Sequence, residues 1–302
     1  MEKTVREVIK GIVFDHLKNK KGLCFGQCLT AVGWVGGTLP KLYEKDGMIE
    51  VTTADVANGG FVVGAGLQKR RPIYVVRYQG FQWYNAPMIA NYACKSKEIW
   101  GVPCPIFVRS IAMEGAIGPV AGSSHHSLFY RMPGIKIISP MTPKEYEFTY
   151  KEFMKNDDVY YISEHRRSYN NSKEFKDVIH KDAKLTLFPF SVTRFDAEEA
   201  RVQLLKEGIK INIIHQLWIK PLKIKTKSLE ALNKSEFGGI VLDDDYVEGI
   251  ASDVAHKLML KSQKRVLTLG LKPKTAGFHP KTDNLPPTPK EIIRKIKKII
   301  KL

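Results

Sequence analysis

Apolar residues first recur at helical spacing at Val5, Val8, Ile9, Ile12, Val13 and Leu17, which predicts an amphipathic opening helix. After a Gly-rich stretch, short apolar runs alternate with helical segments. Residues 48–53 read as a strand, 60–69 as a helix, 72–78 (PIYVVRY) as a buried strand and 83–100 as a helix. Strands at 105–111 (PIFVRSI) and 135–139 follow, then a helix opened by Thr142-Pro143 and a strand at 159–163. Residues 170–182 are polar, lack a hydrophobic period and read as a linker. Beyond them the alternation restarts, with strands at 184–190, 210–219, 239–242 and 265–269. Helices at 197–206, 227–233, 247–260 and 290–301 alternate with them. Short β-rich runs separated by helices predict parallel βαβ units whose strands are buried on both faces. The fold class expected is therefore α/β: two open, mostly parallel sheet domains, residues 1–175 and 176–302.

Length agrees, since 302 residues suit about two domains. A hydrophobic content of 43% with 26% charged residues excludes a disordered or fibrous chain. No apolar run approaches the roughly 18 residues of a membrane span, and the N-terminus lacks signal-peptide character, so a cytoplasmic protein is expected. Four cysteines without a repeated C-x-x-C speak against a disulfide framework and against a zinc cluster. The charge is lopsided. Of the net +17, residues 261–302 carry +10, from 12 Lys or Arg against 2 Asp or Glu. Such a tail can bind nucleic acid, but without interleaved aromatics or a nucleic-acid motif it reads as a solvated helix face or a contact for an acidic partner.

Ligands of open parallel sheets bind beyond the carboxyl ends of the strands, which directs attention to three loops. In the first, Asp55 precedes a Gly-rich helix start and reads on residue chemistry as an N-cap or Asx turn. The second holds Tyr78, Phe81, Trp83 and Tyr84, an aromatic cluster that packed core would also explain. The third, 114–127, combines small residues with His125 and His126, which suits ligand contact or proton transfer. A metal site is not expected there, because adjacent histidines point apart and no acidic or thiol partner stands at ligand spacing. No P-loop, G-x-G-x-x-G, G-x-S-x-G or H-E-x-x-H motif is present.

The ordered set RPIYVVRYQGFQWYNAPMIANYACK, VPCPIFVRSIAMEGAIGPVAGSSHHS, MPGIKIISPMTPKEY and NDDVYYISEHRRSYN resembles the pyrimidine-binding domain of thiamine-diphosphate enzymes. It is most similar to the β subunit of 2-oxoacid dehydrogenase E1 components. IKINIIHQLWIKPL, FGGIVLDDDYVEGIASDVAHKLM and PPTPKEIIRKIKKIIKL resemble the transketolase C-terminal domain that follows in those subunits. The resemblance implies that Asp55 stands where the family has a glutamate that hydrogen-bonds the aminopyrimidine. It places Phe81 against that ring, with Tyr78 and Tyr84 as neighbours. The family's active-site histidine matches His126 by the His-Ser pair of E1 β subunits, or His125 by the transketolase-like pattern. Asp55 is a departure, one methylene shorter than glutamate, and the segment 126–133 is shorter than in typical E1 β subunits.

The resemblance also implies thiamine diphosphate and Mg²⁺ as cofactors, yet the chain contains no Gly-Asp dipeptide and so lacks the family's diphosphate motif. An α-type partner subunit, in an α₂β₂ heterotetramer, is implied as the holder of diphosphate and metal. A lipoyl-bearing acyltransferase is implied as an acyl acceptor. The reaction implied is decarboxylation of a 2-oxo acid with acyl transfer. Transfer of a two-carbon unit to an aldehyde or ketone by a transketolase-like or carboligase reaction is an alternative, and a non-catalytic paralogue is another.

Overall fold

The computed structural model describes residues 2–115, 117–118 and 120–301; Ala116 and Pro119, inside the loop singled out above, lie outside the described residues. The chain divides into two compact units. One comprises Met1–Met113 with Leu128–Glu174, and the other Glu114–Ser127 with Phe175–Leu302. Sequence order places 114–127 in the first half, but those residues cluster with the second unit.

In the first unit, α1 (Val5–Lys18) is opened by a reciprocal cap. Thr4 Oγ1 accepts from Glu7 N and Glu7 Oε2 accepts from Thr4 N, satisfying two donors at the helix start. The short strand β1 (Cys24–Gly26) was not visible in the hydrophobic pattern. It leads to α2 (Gly33–Gly37), a left-handed turn that puts Trp34 and Val35 at positive φ, at about 1–2 kcal/mol each. Then follow β2 (Met48–Glu50), α3 (Asp55–Leu67) and β3 (Ile73–Val76). The helix expected over 83–100 is three segments: α4 (Gln82–Met88), a π-helical stretch Ile89–Ala93 and α5 (Cys94–Trp100). Pro87 supplies the reason, since it has no N–H to donate inside the helix. The remaining elements are β4 (Phe107–Ala112), α6 (Ser127–Tyr130), β5 (Ile135–Ile138), α7 (Pro143–Lys155) and β6 (Val159–His165).

The six strands of this unit pair in parallel in the order β2-β1-β3-β4-β6-β5. Every residue of β3, β4 and β6 is buried, which explains the unbroken apolar run of β3 and the mainly apolar runs of β4 and β6. Two charges interrupt that core. Arg109 of β4 donates through Nε and Nη2 to the two oxygens of Glu164 on β6, at 2.7 and 2.9 Å. Tyr146 and Tyr169 also donate to Glu164, and Nη2 reaches Thr38. Burial, the largest single influence, would lower the Arg109 pKa, but the charge of Glu164, its hydrogen bond and the neighbouring Tyr146 and Tyr169 together hold the guanidinium well above its ordinary value.

The second unit opens with the irregular stretch 175–184 and then builds a parallel sheet in the order β11-β10-β7-β8. In chain order its elements are β7 (Leu185–Pro189), α8 (Thr193–Lys206), β8 (Ile211–Ile213), β9 (Trp218–Lys220) and α9 (Thr226–Lys234). They are followed by β10 (Gly239–Tyr246), α10 (Ile250–Ser262), β11 (Val266–Leu271) and α11 (Pro289–Ile300). The single strand expected over 210–219 is broken because the His215 N–H bonds the Asp177 carboxylate instead of a neighbouring strand. Leu187, Leu204, Ile213, Ile240, Ile292 and Ile296 share one apolar core. Along the rest of α11, Lys290, Arg294, Lys298 and Lys301 are exposed. Among the described residues no helix is long and apolar enough to cross a membrane.

Two predictions follow from the first unit's core. Glu164→Gln strands the buried guanidinium of Arg109 and is expected to cost about 3–5 kcal/mol in urea unfolding, whereas replacing both partners by methionine costs less. The second concerns acid. Burial, followed by the charge of Lys20, depresses His16 to about 4; burial and Arg167 depress His165 to about 3. Both pKa values lie below the unfolded value near 6.5, so the stability they confer is complete above pH 6.5 and is lost as pH falls through 4 and 3. Each contributes at most about 1.4 kcal/mol per pH unit. Urea midpoints measured from pH 7 to 4.5 should fall, and His16→Gln should flatten that fall; a parent midpoint independent of pH would refute the assignment.

Candidate functional site

The first group of candidate residues lies at the carboxyl ends of the strands of the first unit. Gln79, just beyond β3, is buried and donates to Ser110 O and Ser163 Oγ at 3.2 and 2.9 Å, while Ser110 donates to Gln82. These bonds tie the loop after β3 to the ends of β4 and β6. They hold Tyr78 and Phe81 half-buried, with ring centroids 5.8 Å apart. Tyr84 and Trp83 are instead more than half exposed, so the cluster is not packed core throughout.

Asp55 is the first residue of α3, and its side chain does not cap the helix; the N-cap position belongs to Ala54. The N-cap reading of Asp55 is therefore corrected. Its carboxylate lies in the first turn, where the helix macrodipole favours negative charge, and it acts on Tyr74. The Tyr74 phenol is pushed up by burial first and then by the charge of Asp55, against a hydrogen bond from Asn85 Nδ2 at 3.3 Å. Gly59 allows this packing: a Cβ there would stand 3.2 Å from the backbone oxygen of Asn85 and 3.0 Å from Met88 Cβ. Asn58 donates to Thr52 O, but the side-chain oxygens of both Asn58 and Asn85 are buried without a hydrogen-bond partner among the described residues. Buried acceptors in that condition call for a donor. The α3–α4 region thus presents a carboxylate, a phenol and two unsatisfied amide oxygens, with Phe81 held by Asn85 through its carbonyl at 3.4 Å.

The second group belongs to the second unit. His126 is fully buried, and its Nε2 lies 3.0 and 3.2 Å from the two oxygens of Asp243 and 3.8 Å from Asp245. Burial alone would lower the His126 pKa. The charge of Asp243 and its hydrogen bond, followed by Asp245 and Asp244, reverse this and raise it to about 10. The absence of an acidic partner, expected from local spacing, is corrected here: the partner is 117 residues away. Strand β10 was expected to end at Leu242 but continues through Asp243, Asp244 and Asp245, with a register shift between Leu242 and Tyr246. The signal was a run of three acids extending a buried apolar strand.

The partners of these acids are specific. Asp244 Oδ2 accepts from Ser124 and Ser191 at 2.6 and 3.0 Å, and Asp245 Oδ2 accepts from Ser127 N at 2.8 Å. Ser127 Oγ in turn accepts from Ile250 N at the start of α10. Gly249 must lack a side chain, because a Cβ would lie 2.2 Å from Ser127 Oγ. His125 differs from its neighbour. It is only half-buried, pairs with Ser123 Oγ at 3.0 Å and has its ring 6.4 Å from that of Tyr246. Burial lowers its pKa, opposed by Asp245 and helped by the charge of His126. Burial thus favours the neutral form of His125, whereas the surrounding carboxylates favour the cationic form of His126.

Comparison with known proteins bears on both units. The chain is 27% identical over 247 residues to the 2-oxoisovalerate dehydrogenase subunit beta of Bacillus subtilis (strain 168), covering 74% of this chain and 75% of that protein. It is 22% identical over 277 residues to the pyruvate dehydrogenase E1 component subunit beta of the same organism, covering 84% of each. A third relative, 27% identical over 248 residues, is the acetoin:2,6-dichlorophenolindophenol oxidoreductase subunit beta of Cupriavidus necator, with 74% and 71% covered. Among solved structures, a split-gene transketolase described as an inactive beta4 tetramer matches with a TM-score of 0.74 at 14% identity, covering 100% of this chain and 99% of that one. The transketolase of Campylobacter jejuni subsp. jejuni NCTC 11168 matches with a TM-score of 0.72 at 16% identity, covering 98% and 47%. These structural likenesses bear on the fold, which is transketolase-like. Residues 17–172, just over half of the chain, match the family described as "Transketolase, pyrimidine binding domain", and the chain belongs to that family.

Proposed function

We propose that this chain is the β-type, pyrimidine-binding subunit of a two-subunit thiamine-diphosphate enzyme that decarboxylates a 2-oxo acid and passes on the acyl group. The observation that carries this reading is the cluster of unsatisfied polar groups at the α3–α4 contact of the first unit. Asp55 and the unsatisfied oxygens of Asn58 and Asn85 offer acceptors, as the amino group and ring N–H of an aminopyrimidine require. The half-buried Phe81 and Tyr78 offer aromatic faces. These residues fit the pyrimidine half of the cofactor. The diphosphate and Mg²⁺ half has no counterpart, since the sequence holds no Gly-Asp dipeptide, and it is assigned to an α-type subunit in an α₂β₂ assembly. Relatives named as dehydrogenase β subunits favour a 2-oxo acid substrate over two-carbon transfer, and a lipoyl-bearing acyltransferase is the acceptor this reading implies.

When bound, the cofactor supplies a nucleophilic thiazolium carbon and an electron sink for decarboxylation. The chain's residues do the rest. Asp55 would hold the pyrimidine half through a hydrogen bond to a ring nitrogen, and its negative charge would support the basic form of the amino group. Its carboxylate stands in the first turn of α3, where the helix dipole supports the charge. Tyr78 and Phe81 orient the ring, and the exposed Tyr84 is a contact at the rim. His125 would serve as a proton-handling group, and His126, locked by Asp243, would keep the loop in place.

Calorimetry tests the subunit assignment. The isolated chain is expected to bind thiamine diphosphate with Mg²⁺ weakly and the reconstituted complex tightly; tight Mg²⁺-dependent binding by the chain alone overturns the two-subunit reading. Kinetics of the complex test the roles. Asp55→Asn should slow exchange of the C2 proton at least about 10²-fold, and His125→Ala should lower kcat by roughly 10²-fold with the fold intact. Exchange in Asp55→Asn as fast as in the parent would return Asp55 to the status of a first-turn residue.

A further inference from the structure

The structure carries a second chemistry that the proposed function does not use. We propose that His126, Asp243 and Asp244 form a site for one divalent transition-metal ion, zinc or manganese, inside the second unit. The three side chains each bring one ligand atom, all within 4.8 Å of one another, and all three residues are buried. The spacing of His126 Nε2 and Asp243 Oδ1, 3.0 Å, already matches the roughly 3.0–3.4 Å that separates neighbouring ligands on metal bonds of about 2.0–2.2 Å. A modest closing of Asp244 completes a three-ligand face.

Two independent observations call for a cation. The first is an oxygen without a partner. Asp244 Oδ2 receives two serine hydroxyls, yet Asp244 Oδ1 is buried and has no hydrogen-bond partner among the described residues. The second is charge. Asp243, Asp244 and Asp245 are all at most 2% exposed, and among the described residues no lysine or arginine pairs with any of them. One imidazole faces three carboxylates. One imidazolium against three buried carboxylates leaves excess negative charge, which is costly, and buried carboxylates are ordinarily paired or bound to metal.

The donor set selects the ion. One imidazole nitrogen with two carboxylate oxygens and no thiolate suits zinc or manganese, whereas magnesium prefers oxygen donors alone and keeps its water. The outer shell is already built: Ser124 and Ser191 orient Asp244, and the Asp244 N–H fixes Asp243 at 2.9 Å. The ion would replace the Nε2 proton of His126, leaving an interior unit whose loop 114–127 and strand β10 are joined by coordination bonds. The inference is independent of thiamine chemistry and stands on the second unit alone.

The test uses the full chain, stripped with EDTA, reloaded separately with ZnCl₂, MnCl₂ or MgCl₂, desalted and assayed for metal content and melting temperature. About one equivalent of zinc or manganese per chain, with a higher melting temperature and no such response to magnesium, is expected. Asp243→Asn and Asp244→Asn should each lower metal affinity by at least about tenfold while keeping the far-ultraviolet circular dichroism of the stripped parent. Should either variant fail to fold, Co²⁺ titration of the parent decides: d–d absorption saturating at one equivalent supports the site, and its absence overturns it. Retention below about 0.1 equivalent by the parent, or retention unchanged in both folded variants, also overturns it.

Discussion

The ion pair between Arg109 and Glu164 is the constraint around which the first unit is arranged. Two charges in fully buried strands persist because they pair with each other and most of the remaining positions around them are filled, Nη1 of Arg109 being buried without a partner among the described residues. Tyr146 brings α7, Tyr169 brings the chain beyond β6 and Thr38 brings the end of the left-handed turn to the same pair. Three connections that would otherwise drift are fixed by one carboxylate and one guanidinium. Ser110, just after Arg109, and Ser163, just before Glu164, extend the polar network to Gln79, and through Gln79 to the loop of Tyr78 and Phe81. The aromatic residues proposed to meet the cofactor therefore inherit their position from a buried charge pair that touches no ligand.

The α/β alternation was legible because strands buried on both faces write themselves as continuous apolar runs, as in IYVV of β3. Helix starts such as Thr142-Pro143 were legible from local chemistry alone, and Thr142 does cap α7. Asp55, Tyr78 and Phe81 were singled out as candidates by the rule that ligands gather beyond strand ends, which needs only strand positions. What stayed hidden was either too short or too distant. Strand β1 spans three residues and has too little pattern to detect. The pairing of His126 with Asp243 joins positions 117 residues apart, and no local window reveals such a contact.

The second unit shows how a polar run can be misread. Asp243-Asp244-Asp245 looks like the solvated end of a strand, since unpaired acids are rarely buried. A register shift in the ladder between Leu242 and Tyr246 breaks the regular alternation, so successive side chains there need not face opposite sides of the sheet. Donors come from the loop 114–127, from Ser191 at the end of β7 and from the strand's own backbone. The acids are buried because a distant segment arrives to receive them, and the small residues of that segment let it approach.

That arrival has a cost in time. Residues 114–127 leave the ribosome well before β10, yet they pack in the unit that β10 completes. At about 5–20 residues per second, the 117 residues between His126 and Asp243 take roughly 6 to 23 s to synthesise. Strands β1 to β6 are all made before the second unit's sheet begins, so the first unit can close while this loop still waits for its partner. During that interval a glycine-rich, histidine-bearing segment is held out of the finished core, and the acids that secure it do not yet exist. Until β10 is made, His126 and Ser124 lack the carboxylates that receive them in the folded unit.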